Sequence, residues 1–364
     1  MKVPFINLNS RYDQYKEPFH KVLDEIIDNS QFILGQSLNK FEKNLSEYIG
    51  TKYSVGVGNG TDALILGLKS LGIGQGDEVI TTPMSYLAST SAIYLAGAEA
   101  KFVDIGDDLN LDPIKVENAI NNKTKAILVV HLAGVPAKMS QLKTIADKNG
   151  LKLIEDCAQS IGAQIDDRFV GSFGDISAIS FHPTKNLGAL GDGGIVLTNH
   201  QESYDWLKKA RNHGHSSRDQ CEFWSMNSRL DNMQAAFLDI MLKDLPKSLN
   251  QRRSQADRYK KLLDNMVTFP EISQNLKPTF NFFMILADRR DDLMDWLQKQ
   301  GIDSKIHYPI PIHQMDACSL YINSKNDLSK AIENTSKILS LPIGPHIDDS
   351  QIDYVCKKIK EFYI

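Results

Sequence analysis

The chain lacks long apolar runs. Nowhere do about 18 apolar residues follow one another, so no membrane-spanning helix is expected. Its opening Met-Lys-Val-Pro-Phe-Ile-Asn has no extended apolar stretch of the kind a secretory leader carries. Cysteine is scarce: Cys157, Cys221, Cys318 and Cys356 are the only four in 364 residues, far apart and without a C-x-x-C pair. That argues against a disulfide framework or a zinc ribbon and fits reduced thiols in a cytoplasmic protein. Excess charge is also missing. Lys and Arg number 41 against 45 Asp and Glu, a net charge of −4. Neither a nucleic-acid partner nor a membrane surface is therefore expected. The basic cluster Arg252, Arg253, Arg258, Lys260 and Lys261 lies in a polar stretch with helical character and reads as a solvated helix face. His131, His182, His213, His215, His307 and His313 lack H-E-x-x-H or any clustered Cys/His/acid spacing, so no metal site is expected.

What is present has the rhythm of an α/β protein. Helical apolar stripes at 16–28 and 38–49 precede a change of texture near residue 53. Short apolar runs then recur at 53–57, 78–82, 100–104, 126–132, 151–155, 176–181 and 194–198. Several are almost continuously apolar, as strands covered on both faces tend to be. Helical stretches fit between most of them, at 62–71, 86–96, 112–121 and 138–149. This predicts a mainly parallel seven-stranded sheet with helices on both faces. Beyond about residue 245 come a long polar helix (247–266), strands near 281–287, a helix at 291–300 and a terminal helix at 351–362. The division expected is a large domain over 1–245 and a smaller α+β domain over 246–364, with the N-terminal segment packing on the smaller one.

Chemistry concentrates where these strands end. The apolar Leu151-Lys-Leu-Ile154 runs into Glu155 and Asp156, and 29 residues after Asp156 comes Lys185. The lysine sits in Ser180-Phe-His-Pro-Thr-Lys-Asn-Leu-Gly-Ala-Leu-Gly-Asp-Gly-Gly194. A lysine on a Gly-rich loop can form a Schiff base with pyridoxal phosphate (PLP). A carboxylate at a neighbouring strand end can keep the cofactor's ring nitrogen protonated and electron-withdrawing. Parallel strands deliver ligand-binding residues at that carboxyl edge. An isolated Glu-Asp would read as well as a helix cap, and an isolated lysine as solvated surface.

Gly56-Val-Gly-Asn-Gly-Thr-Asp62 follows a strand and opens a helix. Gly60 and Thr61 suit a phosphate cradle at a helix N-terminus, although a plain strand–turn–helix fits equally well. The spacing is not the G-x-G-x-x-G of a dinucleotide fold, and the ribose-binding acid is missing, which disfavours a nicotinamide oxidoreductase. Gln159 is within reach of the cofactor's phenolic oxygen, with plain polar surface as its alternative, and Ser180 is a further candidate phosphate ligand. Tyr86 is placed to stack on a flat ring, with core packing as its alternative.

These motifs, taken together with others, resemble the PLP-dependent sugar aminotransferases of the DegT/DnrJ/StrS type, which have the aspartate aminotransferase-like fold type I. Further matching segments are Phe32-Ile-Leu-Gly35, Gly74-Gln-Gly-Asp-Glu-Val-Ile80, Arg211-Asn-His-Gly214, Asn227-Ser-Arg-Leu-Asp231, His307-Tyr-Pro-Ile-Pro-Ile-His313 and Leu339-Ser-Leu-Pro-Ile343. The resemblance implies that Lys185 and Asp156 are catalytic, and that Gly60, Thr61, Tyr86, Gln159 and Ser180 bind cofactor. It implies that Asn227 reaches the phosphate in the neighbouring subunit, making a homodimer with shared active sites. Arg229, Tyr308 and His313 would lie near the substrate. The implied reaction moves an amino group from glutamate to a nucleotide-linked keto sugar, with dTDP- or UDP-3-keto sugars favoured by Gly188-Ala-Leu-Gly-Asp-Gly-Gly194. A C4 keto sugar or a cyclitol is the alternative acceptor, and a PLP-binding regulatory protein without turnover the alternative class. Two departures stand out: Cys157 replaces a common alanine, and Phe282-Phe283 lies where many relatives carry polar or tyrosine side chains.

Overall fold

The computed structural model describes residues 1–319 and 327–364. Seven strands build its main sheet: β1 (Tyr53–Val57), β2 (Glu78–Thr81), β3 (Glu99–Phe102), β4 (Thr124–Val130), β5 (Lys152–Asp156), β6 (Ile176–Ser180) and β7 (Gly194–Thr198). Their order is β1-β7-β6-β5-β4-β2-β3. The block from β3 to β6 is parallel, while β7 runs antiparallel to both β6 and β1. Six strands therefore point their carboxyl ends to one edge. The reversed β7 starts there, with Gly194 paired to Ser180 on one side and Val57 on the other.

Strand periodicity explains the two covered faces. Along β4, Ala126, Leu128 and Val130 join one apolar cluster, with Leu64, Leu68 and Val196. Ile127 and Val129 point the other way, into a cluster with Phe41, Phe181 and Phe237. Helix Asn232–Leu242 lies inside that second layer, and nine of its eleven residues are buried. Buried on almost every side, with Asn232, Gln234 and Asp239 among its buried residues, it shows no stripe to distinguish it in the sequence.

A third cluster joins helix Leu245–Leu262, the antiparallel strand pair Phe283–Leu286 and Ile338–Leu341, and helices Arg290–Lys299 and Asp349–Tyr363. Val3 belongs to this cluster and bridges Ile302, which seats the N-terminal segment on it. The basic stretch on helix Leu245–Leu262 departs from the solvated face expected of it. Arg252 is only 3% exposed and donates to the carbonyls of Phe280 and Ile343. Arg253 is half-buried against the carbonyls of Pro278 and Gly162, and Lys260 lies over the Phe280 ring. Charge count alone does not register an arginine recruited to cap carbonyls of two distant segments. No helix among the described residues is long and apolar enough to cross a membrane.

Candidate active site

Asp156 is the last residue of β5 and is buried at the carboxyl edge. One carboxylate oxygen accepts from the Ser89 hydroxyl at 2.7 Å and the other from the Ala158 N–H at 3.1 Å. Ser89 lies 2.9 Å from Ser85; since its own proton is committed to Asp156, Ser85 is the donor of that pair. Each carboxylate oxygen can accept more than one hydrogen bond, so Asp156 keeps acceptor capacity for a ring N–H.

Lys185 stands on the loop between β6 and β7. Its backbone N–H donates to the His182 carbonyl at 2.8 Å. The N-terminal helix Leu8–Asp13 pins the loop from behind. The Arg11 guanidinium donates to the Pro183 and Lys185 carbonyls, each at 2.8 Å, and the Tyr12 hydroxyl reaches the Gly188 and Ala189 carbonyls at 3.2 Å. The backbone is held while the Lys185 amine has no hydrogen bond or ion pair among the described residues. Burial pushes its pKa down, and the Asp156 charge works in the opposite direction.

Helix Gly60–Ser70 starts at the same edge, capped by Asn59, whose side-chain oxygen accepts from the Asp62 N–H at 2.9 Å. The turn is packed tightly. A Cβ on Gly60 would lie 2.6 Å from Ser180 Cβ, and one on Gly194 would lie 2.2 Å from the Asn59 carbonyl oxygen. Gly194→Ala must therefore displace the backbone that carries the helix N-terminus. The expected cost is about 1–3 kcal/mol, read in denaturant unfolding, with weaker cofactor retention on dialysis. An unchanged unfolding midpoint would show that the turn yields freely.

Gln159 accepts from the Ala133 N–H at 2.6 Å and donates from its amide nitrogen to the Tyr308 hydroxyl at 3.1 Å. Burial, then the Asp156 charge, raises the Tyr308 pKa, so the phenol stays protonated. Tyr86, 53% exposed, stands over the cavity mouth with its ring centroid 5.8 Å from that of Tyr308. His307 stacks on Phe282 at 3.7 Å with only 7° between ring planes, and its Nδ1 lies 3.0 Å from the Ser340 hydroxyl. Burial first, then the Lys185 and Lys305 charges, lowers its pKa from 6.5 to about 4. The unfolded chain thus takes up this proton first. Stability should fall as pH drops from about 6.5 towards 4, and His307→Phe, which keeps the stack, should flatten that slope in thermal melts.

Gly60, Thr61, Tyr86, Asp156, Gln159, Ser180, Lys185 and Tyr308 line one cavity of about 640 Å³. Phe282 and His307 line it too, whereas Phe283 turns into the third apolar cluster. Asn227, Arg229 and His313 do not line it. Asn227 is exposed on a segment bridged to Asn212, and Arg229 donates to the Asn212 side chain at 2.9 Å. His313 lies near Phe102 at the end of β3, with ring centroids 6.3 Å apart. Ser89 has no signal in the sequence, since only the fold brings it to Asp156, and the sequence offers His307 only as a metal-ligand candidate.

A sequestered amine, a carboxylate with spare acceptor capacity and a glycine-walled helix N-terminus at one sheet edge make a site fitted to a phosphorylated aldehyde cofactor. The class so defined is a fold type I, PLP-dependent aminotransferase. The chain belongs to the DegT/DnrJ/EryC1/StrS aminotransferase family, whose sequence profile matches residues 13–360. It is 39% identical to a pleiotropic regulatory protein of Geobacillus stearothermophilus, over 100% of this chain and 99% of that one. It is 37% identical to the dTDP-3-amino-3,4,6-trideoxy-alpha-D-glucose transaminase of Streptomyces venezuelae, over 99% and 96%. Among solved structures, S. venezuelae DesV in complex with a ketimine intermediate superposes with a TM-score of 0.96 at 38% identity, covering 99% of this chain and 98% of that one.

Proposed function

We propose that this aminotransferase moves an amino group from glutamate to C3 of a nucleotide-linked 3-keto sugar, in the cytoplasm, as a step of amino-sugar biosynthesis. The observation that carries the reading is the pairing of Lys185 and Asp156 in one cavity beside the Gly60 turn. The S. venezuelae relative, named for a 3-amino sugar, supports the choice of C3 over C4 or a cyclitol. PLP, when bound, supplies an aldehyde that captures amines and a ring that accepts electrons.

The chain's own residues do the rest. Lys185 would hold the cofactor, and its amine would move the proton on and off the substrate carbon, a task suited to an amine whose pKa burial has lowered. Asp156, held by Ser89, keeps the ring nitrogen protonated. Gln159 and Tyr308 would hold the cofactor's phenolic oxygen, Gly60, Thr61 and Ser180 its phosphate, and Tyr86 would stack on its ring. Phe282 and His307 wall the substrate side, and an uncharged His307 suits a neutral sugar ring. Asn227 is exposed, consistent with a role across a homodimer, where Asn227 of the partner subunit would complete the phosphate site. Arg229 and His313 would then act at the rim. The same reading divides the chain into 1–245 and 246–364.

The test is a single-turnover assay of PLP-loaded protein. Glutamate should release one equivalent of 2-oxoglutarate per site, and a panel of nucleotide keto sugars should then yield an amino sugar whose NMR spectrum places nitrogen on C3. Nitrogen on C4 would overturn the regiochemistry. No release at all would favour a regulatory role like the one for which the Geobacillus protein is named.

A further inference from the structure

Behind the lysine loop lies a second polar recess, which holds neither Lys185 nor Asp156. Arg252 approaches it from helix Leu245–Leu262. Its Nη1 donates to the Phe280 carbonyl at 3.0 Å and the Ile343 carbonyl at 3.3 Å, but its Nε is buried without any partner. Asn281 is 6% exposed, and neither its Oδ1 nor its Nδ2 has a partner. Both residues line a recess of about 20 Å³ together with Arg11 and His346. Gly344 keeps the space open: a Cβ there would sit 2.9 Å from Arg252 Nη2 and 3.2 Å from His346 Nδ1.

The charge balance of the recess is one-sided. Two guanidiniums meet there, and no carboxylate pairs with Arg252 or Arg11 among the described residues. Burial, then repulsion from Arg11, lowers the Arg252 pKa to about 9. A buried cation without a counter-charge, beside an amide with nothing to bond, is a costly arrangement unless a ligand completes it. Guanidinium matches a carboxylate in both geometry and charge. The volume admits one small group and not a sugar. The recess shares Thr184 and Phe282 with the Lys185 cavity, and Asn7, Arg11 and His346 with an open groove of about 500 Å³.

We propose that this recess binds a carboxylate group, held by Arg252, Arg11 and the Asn281 amide N–H. Two sources share that chemistry: the dicarboxylate amino donor reaching past Thr184 and Phe282, or a free small carboxylate entering from the groove. The first rests on the aminotransferase reading, whereas binding itself does not.

Isothermal titration of the PLP-loaded protein with sodium acetate tests binding directly. Saturable heat is expected, weakened about tenfold or more in Asn281→Leu, as loss of one hydrogen bond to a charged group implies. That variant removes no existing hydrogen bond and should fold, which circular dichroism checks. Asn281→Ala, which cannot block the recess sterically, should weaken acetate as well. Competition between acetate and glutamate in the half-reaction would identify the donor's carboxylate as the ligand. Acetate binding without competition would identify a free anion. Absence of saturable acetate binding, or binding by both Asn281 variants as tight as by the parent, would overturn the proposal and leave a recess filled by water. Should glutamate fail to react at all, acetate titration would still decide the recess on its own.

Discussion

Lys185→Ala should lower turnover by about 10³-fold or more while leaving the folded state as stable as before, or slightly more so. The activity loss would follow from removing the amine proposed both to anchor the cofactor and to carry the proton, since a positioned acid/base alone contributes roughly 10²–10⁴-fold. The stability expectation follows from surroundings. The amine makes no hydrogen bond or ion pair among the described residues, and burial opposes its charge. Truncation strands no partner and removes a desolvated cation, as happens where function is held at a cost in stability. The loop backbone is held by Arg11 and Tyr12, which the substitution leaves alone. Single-turnover release of 2-oxoglutarate and a thermal melt measure the two arms. Activity within tenfold of the parent would remove Lys185 from the proton path. A melting point many degrees lower would show that the amine has a structural role after all.

The sheet was legible in the sequence wherever turn chemistry and periodicity agreed. The ends of β1 and β7 fall at 53–57 and 194–198, as the apolar runs and flanking glycines predict. The helix expected at 62–71 starts at Gly60 instead, because Asn59 caps it two residues earlier. Helices Gln201–Ala210 and Asn232–Leu242 were not foreseen. The second is buried on almost every side, so the contrast that marks an amphipathic helix is missing. That Lys185, Asp156 and Gly60 would meet in one cavity was readable, because strand ends and the loops after them gather at the carboxyl edge of a parallel sheet. Ser89 was not, since its contact with Asp156 spans 67 residues and exists only once β5 and the helix Ala88–Ala96 share an edge. Arg252 misled for a related reason: one arginine in a basic run was taken inward by carbonyls from two distant segments.

Glu155→Ala should be the most damaging single change to folding, although Glu155 faces away from the cavity that Asp156 enters. Its carboxylate is fully buried and accepts from the Gly171, Phe173 and Gly174 N–H groups at 2.8, 2.8 and 2.7 Å, and from the Ser177 hydroxyl at 3.2 Å. His131 Nε2 lies 3.2 Å away. Because the Ala137 N–H donates to His131 Nδ1 at 3.1 Å, the proton sits on Nε2 and is given to Glu155. Alanine would strand five donors at once in a site without water access, at a cost of about 3–5 kcal/mol or more. Against a total stability of roughly 5–15 kcal/mol, little or no soluble protein is expected. Glu155→Gln keeps the shape but sets amide hydrogens against donors, so it should fold with a lower melting point. Its turnover should fall as well, because β5 carries Asp156 on the next residue. Acid titration separates this role from simple packing. Burial alone would raise the Glu155 pKa, yet the His131 hydrogen bond and the Gly171 and Gly174 amides hold it below the ordinary 4.5. The unfolded chain therefore binds this proton first, and the stabilisation, complete above about 4.5, is lost as pH falls further. Glu155→Gln should remove that part of the acid dependence. An acid-unfolding curve of unchanged steepness in Glu155→Gln would mean that the carboxylate's charge does not hold the 171–174 loop beneath Asp156.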